Sequence, residues 1–221
     1  MGPRFKVCCI ASPAEAALAL RHGASAVGLV SAMPSGPGPI PEADIAAIAR
    51  TVPPGVATFL LTCLTDADAL LAQQRRCGCD TLQLVDAVAP AVLRRLRAEL
   101  PGIRLVQVIH VLDESSVAAS LAVAPLVDAL LLDSGNPRLA VKELGGTGRV
   151  HDWSLSRRIV EACGRPVFLA GGLRPDNAAA AVAAVRPHAL DVCSGLRTAG
   201  ALDEAKLAAF VRALDGAFQT A

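Results

Sequence analysis

Two residue types in this chain sit where they could do chemistry. The first is a thiol pair, Cys8-Cys9, closing the strand-like opening Phe5-Lys6-Val7. The second is Asp133, a carboxylate at the end of Leu130-Leu131-Leu132. A carboxylate at such an apolar strand end is unfavourable unless it is paired or used, and there it could stay protonated and act as an acid. The ordinary alternative is a cap on the following loop. A free cysteine is more commonly an inert small hydrophobe than a base, and along a regular strand only one of Cys8 and Cys9 would face inward.

Three glycine punctuations follow apolar runs in the last third: Gly145-Gly146-Thr147-Gly148, Gly171-Gly172 and Ser194-Gly195. Glycine lets the backbone approach a ligand closely, so bare N–H groups can face an anion. Three such loops after successive strands predict one phosphate pocket, with Gly146, Gly148, Gly171, Gly172, Ser194 and Gly195 around it. Asp191 shares a strand face with Cys193 and reads either as a site residue or as a buried carboxylate with a structural partner. Arg174 and Arg197 follow the second and third loops, each a candidate for an anionic substrate or a solvated loop residue. His110 ends a strand and is open to both a structural and an active reading. Trp153 reads as packing for the helix that it opens.

These residues need a scaffold that brings strand ends together. Strand-like runs cover 5–10, 26–30, 57–61, 81–84, 104–111, 129–132, 166–170 and 189–193. Helix-like segments alternate with them at 13–22, 41–51, 66–77, 90–100, 115–122, 154–163, 175–185 and 202–218. Pro, Ser or Asp stands at several of their starts, as helix N-termini prefer. This alternation predicts an α/β fold, a single-domain (β/α)8 TIM barrel over residues 1–221, whose chemistry would sit at the C-terminal strand ends. A doubly wound open sheet is the second choice. The Gly/Pro-rich stretch 31–40 would then line the site as the loop after the second strand.

Composition narrows the partners. Hydrophobic residues reach 53% and charged residues only 19%, which excludes disorder and suits buried parallel strands. A net charge of +1 and the absence of Tyr argue against nucleic acid. No apolar run approaches the roughly 20 residues of a membrane span. Seven cysteines, an odd number, with no export signal ahead of the first strand, predict reduced thiols in the cytoplasm. Cys77-Gly78-Cys79 lacks a second ligand pair, and His22, His110, His151 and His188 lack metal spacing, so no metal is expected. High Ala, Arg and Pro usage looks like a GC-rich bacterial genome.

The motifs in order resemble the phosphoribosylanthranilate isomerase family of tryptophan biosynthesis, an aromatic amino acid pathway. Lys6-Val7-Cys8-Cys9-Ile10 is similar to its K-[IV]-C-G-I, Leu82-Gln83-Leu84 to V-Q-L, and Leu131-Leu132-Asp133 to L-L-D. Gly145 to Gly148 and Asp152-Trp153 are similar to G-G-T-G and D-W. Leu169 to Leu173 with Pro175 and Asn177 resembles L-A-G-G-L-x-P-x-N, and Asp191 to Gly195 resembles D-V-S-S-G.

The resemblance implies an intramolecular oxidoreductase carrying out an Amadori rearrangement, with Cys8 as base, Asp133 as acid and no cofactor. It converts a phosphoribosylamine of an aromatic amine into a 1-amino-1-deoxyribulose 5-phosphate. Lys6, Gln83, Asp191 and Arg197 become candidate substrate contacts.

The chain departs from the family on the aglycone side. The arginine expected after the second strand is missing from 33–40, the histidine of Q-L-H-G is Val85, and the carboxylate of S-G-V-E is Arg197. Arg197 or Arg174 is therefore the expected replacement clamp. The alternatives are a paralogue isomerising another phosphorylated sugar compound, or a non-catalytic phosphosugar-binding barrel. The oligomeric state is not legible.

Overall fold

A computed structural model describes residues 4–145, 148–215 and 217–218. Eight parallel strands close into a barrel, each paired with its sequence neighbour and the first with the eighth. They are β1 (Phe5–Val7), β2 (Ala26–Val30), β3 (Ala57–Thr62), β4 (Thr81–Leu84), β5 (Arg104–His110), β6 (Ala129–Asp133), β7 (Val167–Leu169) and β8 (Ala189–Val192). The helices between and after them are α1 (Pro13–Arg21), α2 (Glu42–Ala49), α3 (Ala67–Cys77), α4 (Pro90–Glu99), α5 (Ser115–Val123), α6 (Trp153–Ala162), α7 (Ala178–Val185) and α8 (Glu204–Leu214). The alternation read from the sequence is this barrel.

Local chemistry sets several boundaries. The side chains of Ser12, Asp66, Asp152 and Asp203 accept backbone N–H bonds at the starts of α1, α3, α6 and α8. Gly78 ends α3 in the left-handed conformation that lacks a Cβ penalty. Asn177 delays α7: its Oδ1 accepts from Arg174 N at 2.8 Å and its Nδ2 donates to the Gly172 carbonyl at 3.0 Å. The helix expected from 175 thus begins at Ala178, and Asn177 pins the glycine loop instead. The final helix is also shorter than the expected 202–218, because Ala201–Leu202 forms a short antiparallel pair with Arg197–Thr198.

Period-two alternation sorts each strand. Leu130 and Leu132 join the apolar layer under the helices, whereas Ala129 and Leu131 join the barrel interior. Asp133 continues the inward set at the C-terminal end of β6. The same parity places Gln83 inward on β4, Lys6 on β1 and Asp191 on β8. Gly28 on β2 leaves the space they need: a Cβ there would come within 2.9 Å of Cys8 Sγ and 3.1 Å of Lys6 Nζ.

The strand predicted for 5–10 stops at Val7. Cys9 has φ of 61°, the left-handed region that disfavours any side chain. This turn ends the regular pleat, and it overturns the expectation that alternation sends Cys8 and Cys9 to opposite sides. Both thiols join the interior cluster.

Candidate active site

A cavity opens at the C-terminal end of the barrel, and its two sides differ chemically. Val30, Met33, Leu61, Val85, Val108 and Leu144 make an apolar wall. Gly145, Gly148, Gly171, Gly172 and Ser194 present backbone on the other side, while Cys8, Asp133, Gln83 and Asp191 line the same space. Such an enclosure suits a ligand with a flat apolar end and a polar, anionic end.

Cys8 is buried just past β1, with its amide donating to the Val192 carbonyl at 2.8 Å. Lys6 lies one inward step below it, fully buried, and donates to Asp191 Oδ1 at 2.9 Å. Register dictates this pair, because Lys6 and Asp191 face each other across β1 and β8. Lys6 also lies 5.1 Å from the Phe59 ring centroid. Burial opposes the ammonium charge, yet Asp191 and the nearby thiols of Cys8 and Cys9 hold its pKa above the usual lysine value. Lys6 itself does not line the cavity, so the expectation of a direct substrate contact gives way to a supporting position.

Asp133 lines the opposite part of the cavity and is 9% exposed. Its Oδ1 accepts from the Ser134 amide at 2.7 Å. Gly145 is required above it, because a Cβ at that residue would sit 2.6 Å from Asp133 Oδ2. Gln83 is 3% exposed, and its Oε1 has no protein partner. A buried, unpaired acceptor at a cavity wall is ready for a ligand donor.

The glycine loops differ in detail. Gly148, Gly171 and Gly172 have φ of 68°, 85° and 62°, so each supplies a backbone shape other residues adopt poorly. Ser194 and Gly195 open a short 3-10 turn, where the first N–H groups have no partner inside the turn. Gly195 stands behind the cavity lining, where a Cβ would come 2.0 Å from the Leu173 carbonyl oxygen. Gly195→Ala is accordingly expected to lower the unfolding free energy by about 1–3 kcal/mol through overpacking. An unchanged urea midpoint would show that the loop has slack. Gly146, the remaining expected loop residue, lies outside the described residues.

Arg197 is not placed as a substrate clamp. It is 10% exposed and pairs with Glu15 through both ends, Nη1 to Oε1 at 2.9 Å and Nη2 to Oε2 at 3.1 Å. The same guanidinium donates to the carbonyls of Gly200 at 2.8 Å, Cys8 at 3.4 Å and Cys9. It therefore straps the exit of β8 to the exit of β1. Arg174 points to Asp176 at the surface, with Nε to Oδ1 3.1 Å. His110 holds the Val85 carbonyl at 3.0 Å and is not among the cavity-lining residues. Trp153 packs against the core under α6, as the sequence suggests.

Some site residues escaped the sequence reading. Glu15 of α1 was not singled out, yet besides Arg197 it accepts from Ala11 N at 3.0 Å and Leu202 N at 2.9 Å. Cys193 lines the cavity beside Cys9, their sulfurs 2.8 Å apart.

The chain matches the family model for N-(5'-phosphoribosyl)anthranilate (PRA) isomerase over residues 5–213. It is 37% identical over 212 residues to the N-(5'-phosphoribosyl)anthranilate isomerase of Haloferax volcanii, covering 95% of this chain and 92% of that relative. It is 36% identical over 210 residues to N-(5'-phosphoribosyl)anthranilate isomerase 2 of Methanosarcina mazei, covering 94% and 92%. A crystal structure of phosphoribosyl anthranilate isomerase in complex with reduced 1-(o-carboxyphenylamino)-1-deoxyribulose 5-phosphate superimposes with a TM-score of 0.80. That protein is 25% identical, with 97% of this chain and 99% of the other covered. With the barrel, the lined cavity and these matches together, the chain belongs to the N-(5'-phosphoribosyl)anthranilate isomerase family.

Proposed function

We propose that this protein isomerises N-(5'-phosphoribosyl)anthranilate to 1-(o-carboxyphenylamino)-1-deoxyribulose 5-phosphate, in tryptophan biosynthesis. The observation that carries this reading is the two-sided cavity, with Cys8 and Asp133 both on its lining. The ligand held by the solved relative has the matching chemistry, an aromatic ring at one end and a phosphate at the other.

In this reading the phosphate rests on the amides around Gly148, Gly172 and Ser194, and the ring lies against Val85, Val108 and Leu144. Asp133 donates a proton to the furanose ring oxygen, the C1–O bond breaks, and a C1 iminium forms. Cys8, with Lys6 below it, removes the C2 proton. The electron pair moves toward C1, giving an enolamine that tautomerises to the 2-ketose. Substrate and product are isomers, so no redox partner is consumed. Two groups supplied by separate strand ends meet the need for an acid and a base at different atoms of one sugar. Gln83 Oε1 is suited to accept from a sugar hydroxyl.

The loop 31–40 supplies no cation for the anthranilate carboxylate, and Arg197 and Arg174 are engaged elsewhere. A charge-assisted hydrogen bond contributes roughly 1.5–3 kcal/mol. A Met33→Arg variant is therefore expected to lower KM by about 10-fold or more. An unchanged KM would mean that the carboxylate is bound without a loop cation.

Purified protein should convert N-(5'-phosphoribosyl)anthranilate to the ketose, read by NMR as loss of the anomeric C1 signal. It should also restore growth of a tryptophan auxotroph lacking this isomerase. The absence of both turnover and growth would overturn the assignment. Seven unpaired cysteines support a reducing cytoplasm as its compartment, and no described helix is long and apolar enough to cross a membrane. The composition favours a bacterial source, although the relatives named above are archaeal.

A further inference from the structure

Three thiols meet at the mouth of the barrel. Cys8 and Cys9 close the exit of β1, Cys193 closes the exit of β8, and all three line the cavity. Cys9 and Cys193 are 184 residues apart in sequence, yet their sulfurs lie 2.8 Å apart. Both stand where the related motifs carry something else, a glycine in K-[IV]-C-G-I and a serine in D-V-S-S-G. Cys9 moreover holds a left-handed backbone, φ 61°, where glycine would be unstrained. A residue kept against its backbone preference, opposite a second substituted residue of matching chemistry, points to the pair itself.

We propose that Cys9 and Cys193 form an oxidation site, a dithiol converted by peroxide to a disulfide that reversibly switches off the adjacent Cys8 centre. Closure needs the sulfurs to approach by about 0.8 Å, to the ~2.05 Å of a bond. Cys193 is the nucleophile. It is half-buried at the cavity, its sulfur lies 2.8 Å from Cys9 Sγ, and the Arg197 guanidinium is nearby. These contacts draw its thiol below the ordinary cysteine value, against burial. Cys9 is pushed well up by its bonds to Cys193 and Cys8 and by burial, so it keeps its proton for the second step.

The Cys193 thiolate attacks one peroxide oxygen. The S–O bond forms, the O–O bond breaks, and hydroxide leaves, taking up the proton that Cys193 released to become water. Cys9 sulfur then attacks Cys193 sulfur, the S–O bond breaks, and the second oxygen leaves as water with the Cys9 proton. Two thiols lose two electrons and peroxide gains them. Cys9 Sγ now contacts the Pro37 carbonyl at 3.5 Å, on the loop that walls the cavity. The disulfide ends that contact and draws on Cys193, the residue before the Ser194 turn.

The test treats the whole reduced protein with a few equivalents of hydrogen peroxide. Titratable thiols should fall by two from seven, and peptide mapping should find Cys9 linked to Cys193. Turnover should drop at least about 5-fold and return with dithiothreitol. Cys9→Gly and Cys193→Ser should each lack the link, and each should lose less of its own reduced activity to peroxide. Failure to find the link, oxidation of Cys8 first, or undiminished turnover of the linked protein would each overturn the proposal. The covalent readout does not depend on the assigned reaction; only the turnover readout rests on it.

Discussion

Cys8→Ala is expected to lower kcat by about 10²-fold or more, with KM changed far less. Loss of a positioned general base typically removes 10²- to 10⁴-fold. Three observations support Cys8 as the proposed base. It lies directly past β1 on the cavity, it shares the inward face with the buried Lys6 ammonium, and Gly28 leaves room for its sulfur. Cys9 also lines the cavity, so position alone does not separate the two thiols. What weighs against Cys9 is that its contacts with Cys193 and Cys8, and its burial, hold it in its protonated form. Cys9→Ala should therefore retain most of kcat. Asp133→Asn should match the Cys8 loss, since the amide supplies no transferable proton. Steady-state kinetics on the three variants decides. A dead Cys9→Ala beside an active Cys8→Ala would exchange the two assignments.

The barrel was legible because parallel strands buried on both faces leave continuous apolar runs, such as Leu130-Leu131-Leu132. Asp133 was legible for the same reason, being the first polar residue after such a run. Lys6, Gln83 and Asp191 became candidates through the family resemblance, and only the register revealed that Lys6 and Asp191 neutralise each other. Three features were hidden by their nature. A left-handed φ at Cys9 leaves no mark in the sequence, since the expected signal there is glycine. The Cys9–Cys193 contact joins residues from the two ends of the chain, and it needs barrel closure to exist. The Arg197–Glu15 pair likewise spans 182 residues. Arg197 read as a clamp because it follows a glycine loop, and the loop geometry instead turns it outward toward α1.

That strap carries the second large effect. Arg197→Ala is expected to lower the unfolding free energy by about 3 kcal/mol or more, roughly 150-fold in the folding equilibrium. Both ends are mostly shielded, with Arg197 10% and Glu15 17% exposed, so little water can replace the lost partner. Truncation also leaves the carbonyls of Cys8, Cys9 and Gly200 without their donor. A direct substrate clamp would behave differently, raising KM while leaving the urea midpoint unmoved. Acid titration supplies an independent sign. Burial opposes ionisation of Glu15, but bonds from Arg197, Leu202 and Ala11 hold its pKa below the ordinary glutamate value. A carboxyl depressed on folding contributes stability that is fully present above its unfolded pKa and is lost as pH falls through the folded one. Wild type should thus lose stability on acidification across that interval, and Arg197→Ala should lose less, because most of the depression has gone. If the two proteins show the same acid dependence and the same midpoint, the strap contributes nothing measurable and Arg197 returns as a candidate for substrate.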